Sequence, residues 1–552
     1  MQVRKTLTIR LIWYKIIMYV YLQNNINFYV QKPEFSYINN KETVRMGNAY
    51  LMVVLGIIAA KGVGFYRDMV FAKVFGTGVD ADIYFQIFGL VNLIFTGIAV
   101  ALSTLIIKNI NQSRNVGKER EYASSFIKKS FMWLGVGVLA FVIFSGQVVR
   151  IILPGLSPDE FKLANTMMYV MIPSLVFVVV AYIISGILQN EKAYFITSVM
   201  SLPFNAVIIL TLMIPDVSIM TVAIVTTIGW GLQVAMLLPS FYKKGYRVTG
   251  LKYNNPDKKE RNPEIIWIFI SNMMFQLCFY TDRAFVGNVE GMASTFNYAS
   301  NLFITISSVF VVAMSTVVFP SISKNYEEGN VGYVNELLRY IITVMVAIFL
   351  PFLLVASLYG SDVIRLIYER GSFDSESTKA VSTIFFIYGL GILGYVSQEL
   401  FNKILYLSGK YKYTVTGTVL VVFLNVVLNI LIKNFIPNVD VPSSGMDLVT
   451  LLCASATSLL LTLYAVAIAI GIKNVVGAYF TKELITDIVK ILVSGVFALI
   501  VYFVFNTFAP AFTHGYITFV VPLGASAVVY AVSLIITGVY KKLLKREKKG
   551  TN

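Results

Sequence analysis

The sequence predicts an all-α polytopic membrane protein with fourteen transmembrane helices, and three observations lead to this prediction. Of the 552 residues, 57% are hydrophobic and 13% are charged, and that charged share is about half that of a soluble domain. The apolar residues are gathered into stretches of about 20 residues, the length that crosses a bilayer as a helix. Within each stretch apolar residues are continuous rather than alternating, which excludes the strands of a membrane barrel.

Fourteen apolar stretches follow one another along the chain, each bounded by polar or charged residues. We predict spans at 48–66, 82–106, 130–153, 164–188, 193–214, 219–242, 264–287, 296–320, 338–358, 379–404, 412–436, 446–471, 484–508 and 515–540. The longest polar connection, residues 243–263, follows the sixth span. Because six is even, the second half re-enters from the same side as the first, which permits two parallel repeats. We therefore expect two six-helix lobes around a central cavity, with two C-terminal helices added to them.

The positive charges predict the orientation of these spans. If the N-terminus is cytoplasmic, the cytoplasmic segments hold 35 of the 45 Lys and Arg residues and the outer loops hold 9. Cytoplasmic loops of membrane proteins are enriched in Lys and Arg in this way. Both termini are therefore predicted in the cytoplasm. The net charge of +16 does not indicate a nucleic-acid partner, because the basic residues lie between apolar stretches rather than in a patch on a soluble domain.

Spans and loops divide the chain into six segments. Residues 1–45 form a basic extension with an apolar run too short to cross a membrane. Two explanations stay open for it: a basic helix at the membrane surface, or a translation start at Met46, which we favour. The other predicted segments are an N-lobe at 46–242, a cytoplasmic linker at 243–263, a C-lobe at 264–471, the last two spans at 472–540 and a basic cytoplasmic tail at 541–552.

The scarcity of chemically reactive residues excludes most enzymes. One His (His514) and two Cys (Cys278 and Cys453) are too few for a His-based catalytic triad or a Cys/His metal cluster. No Gly-x-x-x-x-Gly-Lys-Ser/Thr sequence is present, so an ATP-driven pump is not expected. We predict a transporter without a cofactor or a metal centre, driven by a Na⁺ or H⁺ gradient or by the membrane potential.

Basic residues in the spans indicate the charge of the substrate. Lys61 lies within span 1, and Arg67 and Arg283 stand near the ends of spans 1 and 7. Charges within a bilayer are costly and are usually functional, although Lys61 could extend its stem to the headgroups and Arg67 could pair with Asp68 at the surface. A poorly solvated Lys or Arg pairs strongly with phosphate. These residues therefore favour an anionic substrate over a cationic drug.

Several motifs resemble those of the MurJ/MviN family, the lipid II flippases of the multidrug/oligosaccharidyl-lipid/polysaccharide exporter superfamily. The first two carry the more specific part of the resemblance, and the others agree in position and character. In chain order they are Lys61–Asp68, Phe75–Asp82, Thr281–Arg283, Phe296–Asn301 through Val318–Ser323, and Tyr368–Asp374. The resemblance extends over about residues 48–435, and it implies the fourteen-helix architecture that the spans predict.

The resemblance also implies roles for individual residues. Cavity cations would neutralise the pyrophosphate of a lipid-linked saccharide, carboxylates would belong to an outer gate, and an acid in span 7 would bind the coupling cation. The residues so implied are Lys61, Arg67, Arg283 and Asn301 for the substrate, Asp68 and Asp82 for the gate, and Asp282 for the cation.

Three positions depart from the family pattern. The first cavity arginine of the family is Lys61 here, the arginine of its second span falls near Phe95 and Thr96, and the arginine of its eighth span falls at Asn301. Two expected cavity cations are therefore absent. Arg283, in the facing lobe, could replace part of the missing charge.

The sequence thus predicts a flippase that moves undecaprenyl-pyrophosphate-linked lipid II, the peptidoglycan precursor, from the inner to the outer leaflet of the bacterial plasma membrane. The missing arginines keep open a second substrate, the lipid-linked repeat unit of a capsule or surface polysaccharide. A drug/cation antiporter would have acidic cavities and usually twelve spans, and a membrane scaffold would have no reason to hold Lys61 within a span. We expect a monomer that contacts membrane lipids and the cell-wall synthesis machinery.

Overall fold

The computed structural model describes residues 40–114, 117–248, 263–314, 318–441, 446–508 and 517–544. The chain has two compact units, residues 1–58 and 59–552. The first is described from residue 40 onward, where it forms the beginning of helix α1. Everything below concerns the second unit. Residues 1–39 of the predicted extension, 249–262 of the linker and 545–552 of the tail lie outside the described ranges.

The described residues form helices and one short β-hairpin. The helices are α1 (Asn40–Phe75), α2 (Val79–Arg114), α3 (Glu119–Ile152), α4 (Pro158–Met171), α5 (Ser174–Asn190), α6 (Tyr194–Ser198), α7 (Leu202–Leu212), α8 (Ile219–Lys243), α9 (Pro263–Val286), α10 (Met292–Ala313), α11 (Phe319–Glu327), α12 (Val331–Tyr368), α13 (Ser375–Leu390), α14 (Ile392–Leu407), α15 (Tyr411–Phe435), α16 (Leu448–Val476), α17 (Lys482–Phe508), α18 (Ile517–Ile536) and α19 (Val539–Leu544). Strands β1 (Asp440–Val441) and β2 (Met446–Asp447) pair antiparallel between α15 and α16.

Within the described residues, each predicted span falls on one helix or on two successive helices, except that the span at 446–471 begins on strand β2. Within the described ranges, nine helical segments are long and apolar enough to cross a membrane, and a tenth is if the bent pair α13 and α14 counts as one span. The all-helical membrane fold is therefore confirmed. The number of crossings and their orientation stay predictions.

Several spans contain a break, and each break has a local cause. Pro173 separates α4 from α5 within the fourth span, because proline has no N–H to continue the helix. Gly391 stands between α13 and α14, which are bent by 45°. A Cβ at this glycine would lie 3.0 Å from the Cα of Ser458 on α16. Close helix packing thus fixes the position of the bend.

The helices pack in two sets, for which we keep the names N-lobe and C-lobe. In the N-lobe, α2 packs on α5, and α8 packs on α5 and α7. In the C-lobe, α9 packs on α15, α14 on α16, and α10 and α12 on α13. The last two long helices, α17 and α18, pair with each other, and α17 lies on α12. Across the two lobes, α2 packs on α9 and α10, and this seam contains the candidate site.

Candidate functional site

The two lobes meet where α1 turns into α2, and Asp82 is at the centre of this contact. Both oxygens of its carboxylate accept hydrogen bonds from the start of α10: Oδ2 from the Gly291 N–H at 2.6 Å and Oδ1 from the Ser294 N–H at 2.6 Å. The first N–H groups of a helix have no partner within the helix and attract anions. Asp82, which is 5% exposed, therefore caps a helix of the facing lobe.

Residues of the C-lobe also bind the end of α1 in the N-lobe. Ser372 donates its N–H to the Lys73 carbonyl and its hydroxyl to the Val74 carbonyl, both at 2.9 Å. The Tyr298 hydroxyl donates to the Gly76 carbonyl at 3.0 Å. The last carbonyls of a helix lack partners within it. Each lobe thus satisfies the backbone groups at a helix end of the other lobe.

Gly371 makes this close backbone approach possible. Its φ is +62°, and a Cβ at this position would collide with the Lys73 carbonyl oxygen of the facing lobe. Beside it, the hydroxyls of Thr77 and Ser377 are 2.7 Å apart. We call this interlobe contact the latch and define it by Lys73, Val74, Gly76, Thr77 and Asp82 of the N-lobe and Gly291, Ser294, Tyr298, Gly371, Ser372 and Ser377 of the C-lobe.

Arg67 lies within the N-lobe rather than in the latch. Its Nε and Nη2 donate to Oδ1 of Asp68 at 3.0 and 2.7 Å, and its Nη1 donates to Oδ1 of Asn205 at 3.1 Å. The guanidinium also lies over the rings of Phe88 and Phe204. The alternative of a surface ion pair is wrong, because Asp68 is buried and Arg67 is partly buried. Of the two acids predicted for the gate, Asp68 pairs with Arg67 and Asp82 reaches the other lobe.

Lys61 reaches across to the C-lobe. Its Nζ donates to the Ser308 hydroxyl of α10 at 2.8 Å, and its side chain is exposed. The helix continues beyond Lys61 to Phe75, so this lysine lies farther from the end of α1 than a span ending at residue 66 implied. Lys61 therefore stands at the seam, separated from the latch along α1.

A polar face of α10 connects the position of Lys61 with the latch. Ser294, Asn297, Asn301, Thr305 and Ser308 recur at intervals of three or four residues, so they lie along one side of the helix. Ser294 contacts Asp82, and Ser308 contacts Lys61. At 1.5 Å per residue this face extends over about 20 Å. Asn301, where the family would have an arginine, is partly buried in the middle of it.

Arg283 contacts the same polar face. Its Nη1 donates to Oδ1 of Asn297 at 2.5 Å, and its Nε donates to the Phe279 carbonyl at 3.3 Å. The guanidinium lies over the Tyr280 ring, 5.5 Å from the centroid. From the other lobe, Gly89 of α2 faces it, since a Cβ there would be 3.3 Å from Nη1. Arg283 is thus an interlobe residue, as its position in the facing half suggested.

Asp282, the neighbour of Arg283, turns the other way into the C-lobe. Its Oδ2 accepts from the Tyr388 hydroxyl at 3.0 Å, and its Oδ1 accepts from Nδ2 of Asn425 and of Asn429 at 3.2 and 3.1 Å. Nδ2 of Asn425 also donates to the Thr457 hydroxyl at 2.8 Å. Asp282 is 0% exposed. With the amides turned over, the carboxylate, the two amide oxygens and the Thr457 hydroxyl would present the hard oxygen ligands that a Na⁺ ion requires.

The structure therefore distributes the predicted residues over three places. Lys61, Asn301, Arg283 and Asp82 follow the seam, Arg67 and Asp68 pair inside the N-lobe, and Asp282 lies inside the C-lobe. The side chains of Phe95 and Thr96 lie outside what the structure describes. Sequence reasoning missed Ser294, Asn297 and Ser308, although the helical spacing of polar residues through span 8 was a usable signal.

A family model described as "Lipid II flippase MurJ" matches residues 71–532 of the chain. Two similar curated proteins are both named "Probable lipid II flippase MurJ". The one from Rickettsia prowazekii (strain Madrid E) is 23% identical over 391 residues, which cover 68% of this chain and 76% of the relative. The one from Rhizobium tropici is 24% identical over 388 residues, which cover 67% of this chain and 72% of the relative.

Solved structures show the same fold. A structure entitled "Lipid II flippase MurJ, inward closed conformation" aligns with a TM-score of 0.71 at 21% identity, covering 90% of this chain and 100% of that chain. An inward-facing multidrug resistance MATE family transporter of the MOP superfamily aligns with a TM-score of 0.60 at 12% identity, covering 77% of this chain and 99% of that chain. At such identities the likeness concerns the fold.

Proposed function

Because the chain belongs to the lipid II flippase MurJ family, we propose that it moves lipid II from the inner to the outer leaflet of the bacterial plasma membrane. It is a multi-pass membrane transporter rather than an enzyme. The match runs from the last residues of α1 through α17 and most of α18, and the curated relatives carry the name of the same substrate. These names favour lipid II over the repeat unit of a capsule or surface polysaccharide, which the missing arginines had kept open.

We propose fourteen crossings with both termini in the cytoplasm, which places the latch at the outer face. The charge bias supports this orientation, since the loops at 108–129 and 243–263 are rich in Lys and Arg and residues 359–378, which include Gly371, Ser372 and Ser377 of the latch, fall outside. Reporter fusions test it. Cytoplasmic signals are expected from 108–129 and 243–263, and a cytoplasmic signal from 359–378 would contradict the orientation.

In this orientation the closed latch makes the described conformation an outward-closed one. The head group would approach from the cytoplasmic side along the seam, where the polar face of α10 extends from Ser308 to Ser294. This continuous polar face is the observation that carries the proposal, because an apolar helix could not accompany a charged saccharide through the membrane. The polyprenyl chain would stay in the lipid.

The predicted substrate residues take successive positions along this path. Lys61 meets the pyrophosphate first, Asn301 hydrogen-bonds the head group halfway, and Arg283 meets it near the latch. Arg67 is held by Asp68 and Asn205, so its contribution requires that this network rearranges when substrate enters. A guanidinium already bonded to a carboxylate can exchange it for a phosphate, which offers the same paired oxygens.

We propose that Asp282 binds the cation that drives the cycle. A polyprenyl-linked anion must be moved without ATP, and a gradient can supply the free energy only if the driving ion binds one conformation better than the other. The oxygens around Asp282 favour a monovalent cation there, and the described hydrogen bonds to its carboxylate come from neutral groups. We further propose a monomer as the working unit.

The experiment that tests the function is transport of labelled lipid II into the outer leaflet of vesicles that contain the full chain. Lys61→Ala and Lys61→Glu should abolish flipping at normal membrane insertion, and Lys61→Arg should retain much of it, because the lysine acts as a charge. Lys162→Ala, an exposed lysine of α4, is the matched control. Full transport by Lys61→Ala would contradict the role of Lys61, and no transport of lipid II by the wild type would contradict the function.

A further inference from the structure

Helix α13 connects the latch with the cluster around Asp282. Near the beginning of the helix, the Ser377 hydroxyl lies 2.7 Å from the Thr77 hydroxyl of the N-lobe. In its last turn, the Tyr388 hydroxyl donates to Oδ2 of Asp282 at 3.0 Å. Ser377 and Tyr388 belong to one uninterrupted helix and are about 16 Å apart at 1.5 Å per residue. One rigid element therefore reaches from the latch to the proposed cation cluster.

The side chain of Tyr388 is held so tightly that it moves with its helix. It is 1% exposed, and its ring packs edge-to-face on Phe279 and Phe296, with centroid distances of 5.1 and 6.1 Å. The Phe303 ring also lies 6.1 Å away. Densely packed side chains of this kind keep one rotamer and transmit strain. A displacement of the phenol oxygen is therefore passed to the backbone of α13.

Gly391, three residues beyond Tyr388, supplies a pivot for α13. The helices α13 and α14 are bent by 45° at this glycine, and α16 fixes the place of the bend, since the Ser458 hydroxyl donates to the Ile387 carbonyl at 2.7 Å. At 1.5 Å per residue, Tyr388 lies about 4.5 Å from Gly391 along the helix and Ser377 lies about 21 Å from it. Rotation about Gly391 thus enlarges a displacement about fivefold between the phenol and the latch.

Building on the proposed function, we propose that Tyr388 couples cation binding at Asp282 to the latch. A Na⁺ ion bound between the Asp282 carboxylate and the phenol oxygen replaces their hydrogen bond of 3.0 Å. The phenol proton turns away from the carboxylate, and an oxygen lone pair faces the ion. Two oxygens at about 2.4 Å from one hard cation are about 3.4 Å apart at a right angle and farther apart at wider angles. The ion therefore pushes the phenol away from Asp282, and α13 turns about Gly391.

This rotation disturbs the C-lobe side of the latch. An increase of about 0.4 Å at the phenol corresponds to about 2 Å at Ser377, and shifts of that size switch packed helix interfaces. Ser377 then loses its contact with Thr77. The turn before α13 carries Ser372, whose N–H and hydroxyl bind the last carbonyls of α1. Cation binding thus favours the conformation in which the latch opens, and Tyr388 is a positioning residue that acts through α13.

Maleimide labelling of Ser377→Cys in the full chain in phosphatidylcholine nanodiscs tests the coupling, with the labelling rate as the readout. In this parent, Na⁺ should accelerate labelling about fivefold or more, as expected for coupling between two sites. Choline at the same ionic strength should not. Tyr388→Phe removes only the hydroxyl, so its rate without Na⁺ should stay within about twofold of the parent, and Na⁺ should no longer accelerate it.

Tyr395→Phe is the matched control. Tyr395 packs on two of the same rings, Phe303 at 5.3 Å and Phe279 at 6.2 Å, but it lies on α14, beyond the bend. The Na⁺ response should remain intact in this variant. Asp282→Asn should lose the response, because the charge that binds Na⁺ is removed. If Tyr388→Phe does not insert normally, Tyr388→Leu also lacks the hydroxyl and should lose the response in the same way.

Several results would overturn the coupling. An unchanged labelling rate of the parent in Na⁺, or a full Na⁺ response in Tyr388→Phe, contradicts it. Loss of the response in Tyr395→Phe as well would show that ring packing, and not the Tyr388 hydroxyl, carries the effect. Loss of the response in Asp282→Asn alone would show that another helix transmits the occupancy of the cation cluster.

The flippase function is judged separately, by transport of labelled lipid II. Transport by the wild type together with a Na⁺ response that survives in Tyr388→Phe refutes only the coupling. A Na⁺ response that depends on Tyr388, without transport of lipid II by the wild type, refutes only the function.

Discussion

Two buried carboxylates, Asp82 and Asp282, lie at comparable depth in the protein, and each lacks a basic partner in its described contacts, yet they are held in opposite ways. Asp82 accepts two backbone N–H groups from a helix of the other lobe. Asp282 accepts a phenol and two amides from helices of its own lobe. Asp82 therefore binds across the interface between the lobes, whereas Asp282 is enclosed within the C-lobe.

This difference suits Asp82 to releasing its hydrogen bonds when the lobes separate, and it suits Asp282 to binding an ion. Backbone N–H groups at a helix end can be solvated by water when the seam opens, so releasing Asp82 leaves no buried group without a partner. The amides around Asp282 remain buried in every conformation that keeps the C-lobe intact, and only a cation or a proton can change the charge there. The latch is thus suited to motion and the Asp282 cluster to ion binding.

The largest effect is expected when the latch is prevented from opening, because the proposed cycle requires the lobes to separate there. Thr77→Cys with Ser377→Cys should form a disulfide across the lobes, because the parent hydroxyls are 2.7 Å apart, and oxidation should abolish lipid II flipping. Reductant should restore it. The matched control is Ser361→Cys with Ser382→Cys, whose hydroxyls are 3.0 Å apart inside the C-lobe, and its oxidation should leave transport intact.

The two native cysteines do not obscure this test, because Cys278 and Cys453 are each 1% exposed. Undiminished transport by the oxidised Thr77→Cys/Ser377→Cys protein would show that the latch does not open in the cycle. Equal inhibition by the control pair would show instead that the C-lobe itself deforms.

Asp82→Ala should have the next largest effect, which is a shift of the latch equilibrium toward the open state. Losing hydrogen bonds to a charged group costs about 2 kcal/mol, which corresponds to about a 30-fold change in population. Maleimide labelling of Ser377→Cys, a position that is buried in the closed latch, should accelerate by a similar factor. Asp282→Ala should leave this labelling rate within about twofold of the parent in the absence of ions, because its contacts remain within one lobe.

The fold was largely predictable from sequence, and the reason is physical. A bilayer requires long apolar helices, so the spans at 219–242 and 484–508 coincide with α8 and α17 almost residue for residue. The break at Gly391 was not predicted, since this glycine ends a helix inside an otherwise continuous apolar stretch. Whether such a residue bends or interrupts a span depends on the helix packed beside it.

The site was predictable in its charged residues and not in their partners. Asp82, Asp282 and Arg283 could be singled out because a charge in a membrane is costly. The groups that hold them are backbone N–H groups and neutral side chains such as Asn297, and a sequence does not reveal which lobe a backbone N–H faces. The opposite directions of Asp282 and Arg283, adjacent in sequence, follow from helical geometry only once their neighbours are known.

Asp282→Asn tests whether the Asp282 cluster binds the coupling ion. The variant keeps the shape of the cluster but removes the charge that holds a cation, so flipping should fall about tenfold and lose its dependence on the Na⁺ or H⁺ gradient. The measurement is the rate of lipid II flipping in vesicles with and without an imposed gradient. Thr486→Val, at an exposed position on α17, is a matched polar-to-apolar control. A gradient response that survives in Asp282→Asn would place the coupling ion elsewhere.

The smallest expected effect concerns a third acid, Asp374, which caps a helix within its own lobe. Its Oδ1 accepts the Ser377 N–H at 2.8 Å at the start of α13, and this backbone hydrogen bond lowers the pKa of the Asp374 carboxyl below its ordinary value. Asp374→Ala should destabilise the C-lobe by about 1 kcal/mol at neutral pH, measured by thermal unfolding, and should change flipping less than Asp82→Ala does because no interlobe bond is lost.

The pH dependence of that effect has a definite sign. Because the folded pKa is lowered, the carboxylate's contribution is fully present above the unfolded value of about 4 and is lost as the pH falls through the folded value. The stability difference between wild type and Asp374→Ala should therefore shrink in acid. Asp374→Asn caps the helix without titrating, so its difference from Asp374→Ala should persist at low pH. If all three proteins lost stability in parallel on acidification, the cap would not be the titrating element, and the contrast between a cap inside one lobe and the interlobe cap formed by Asp82 would lose its support.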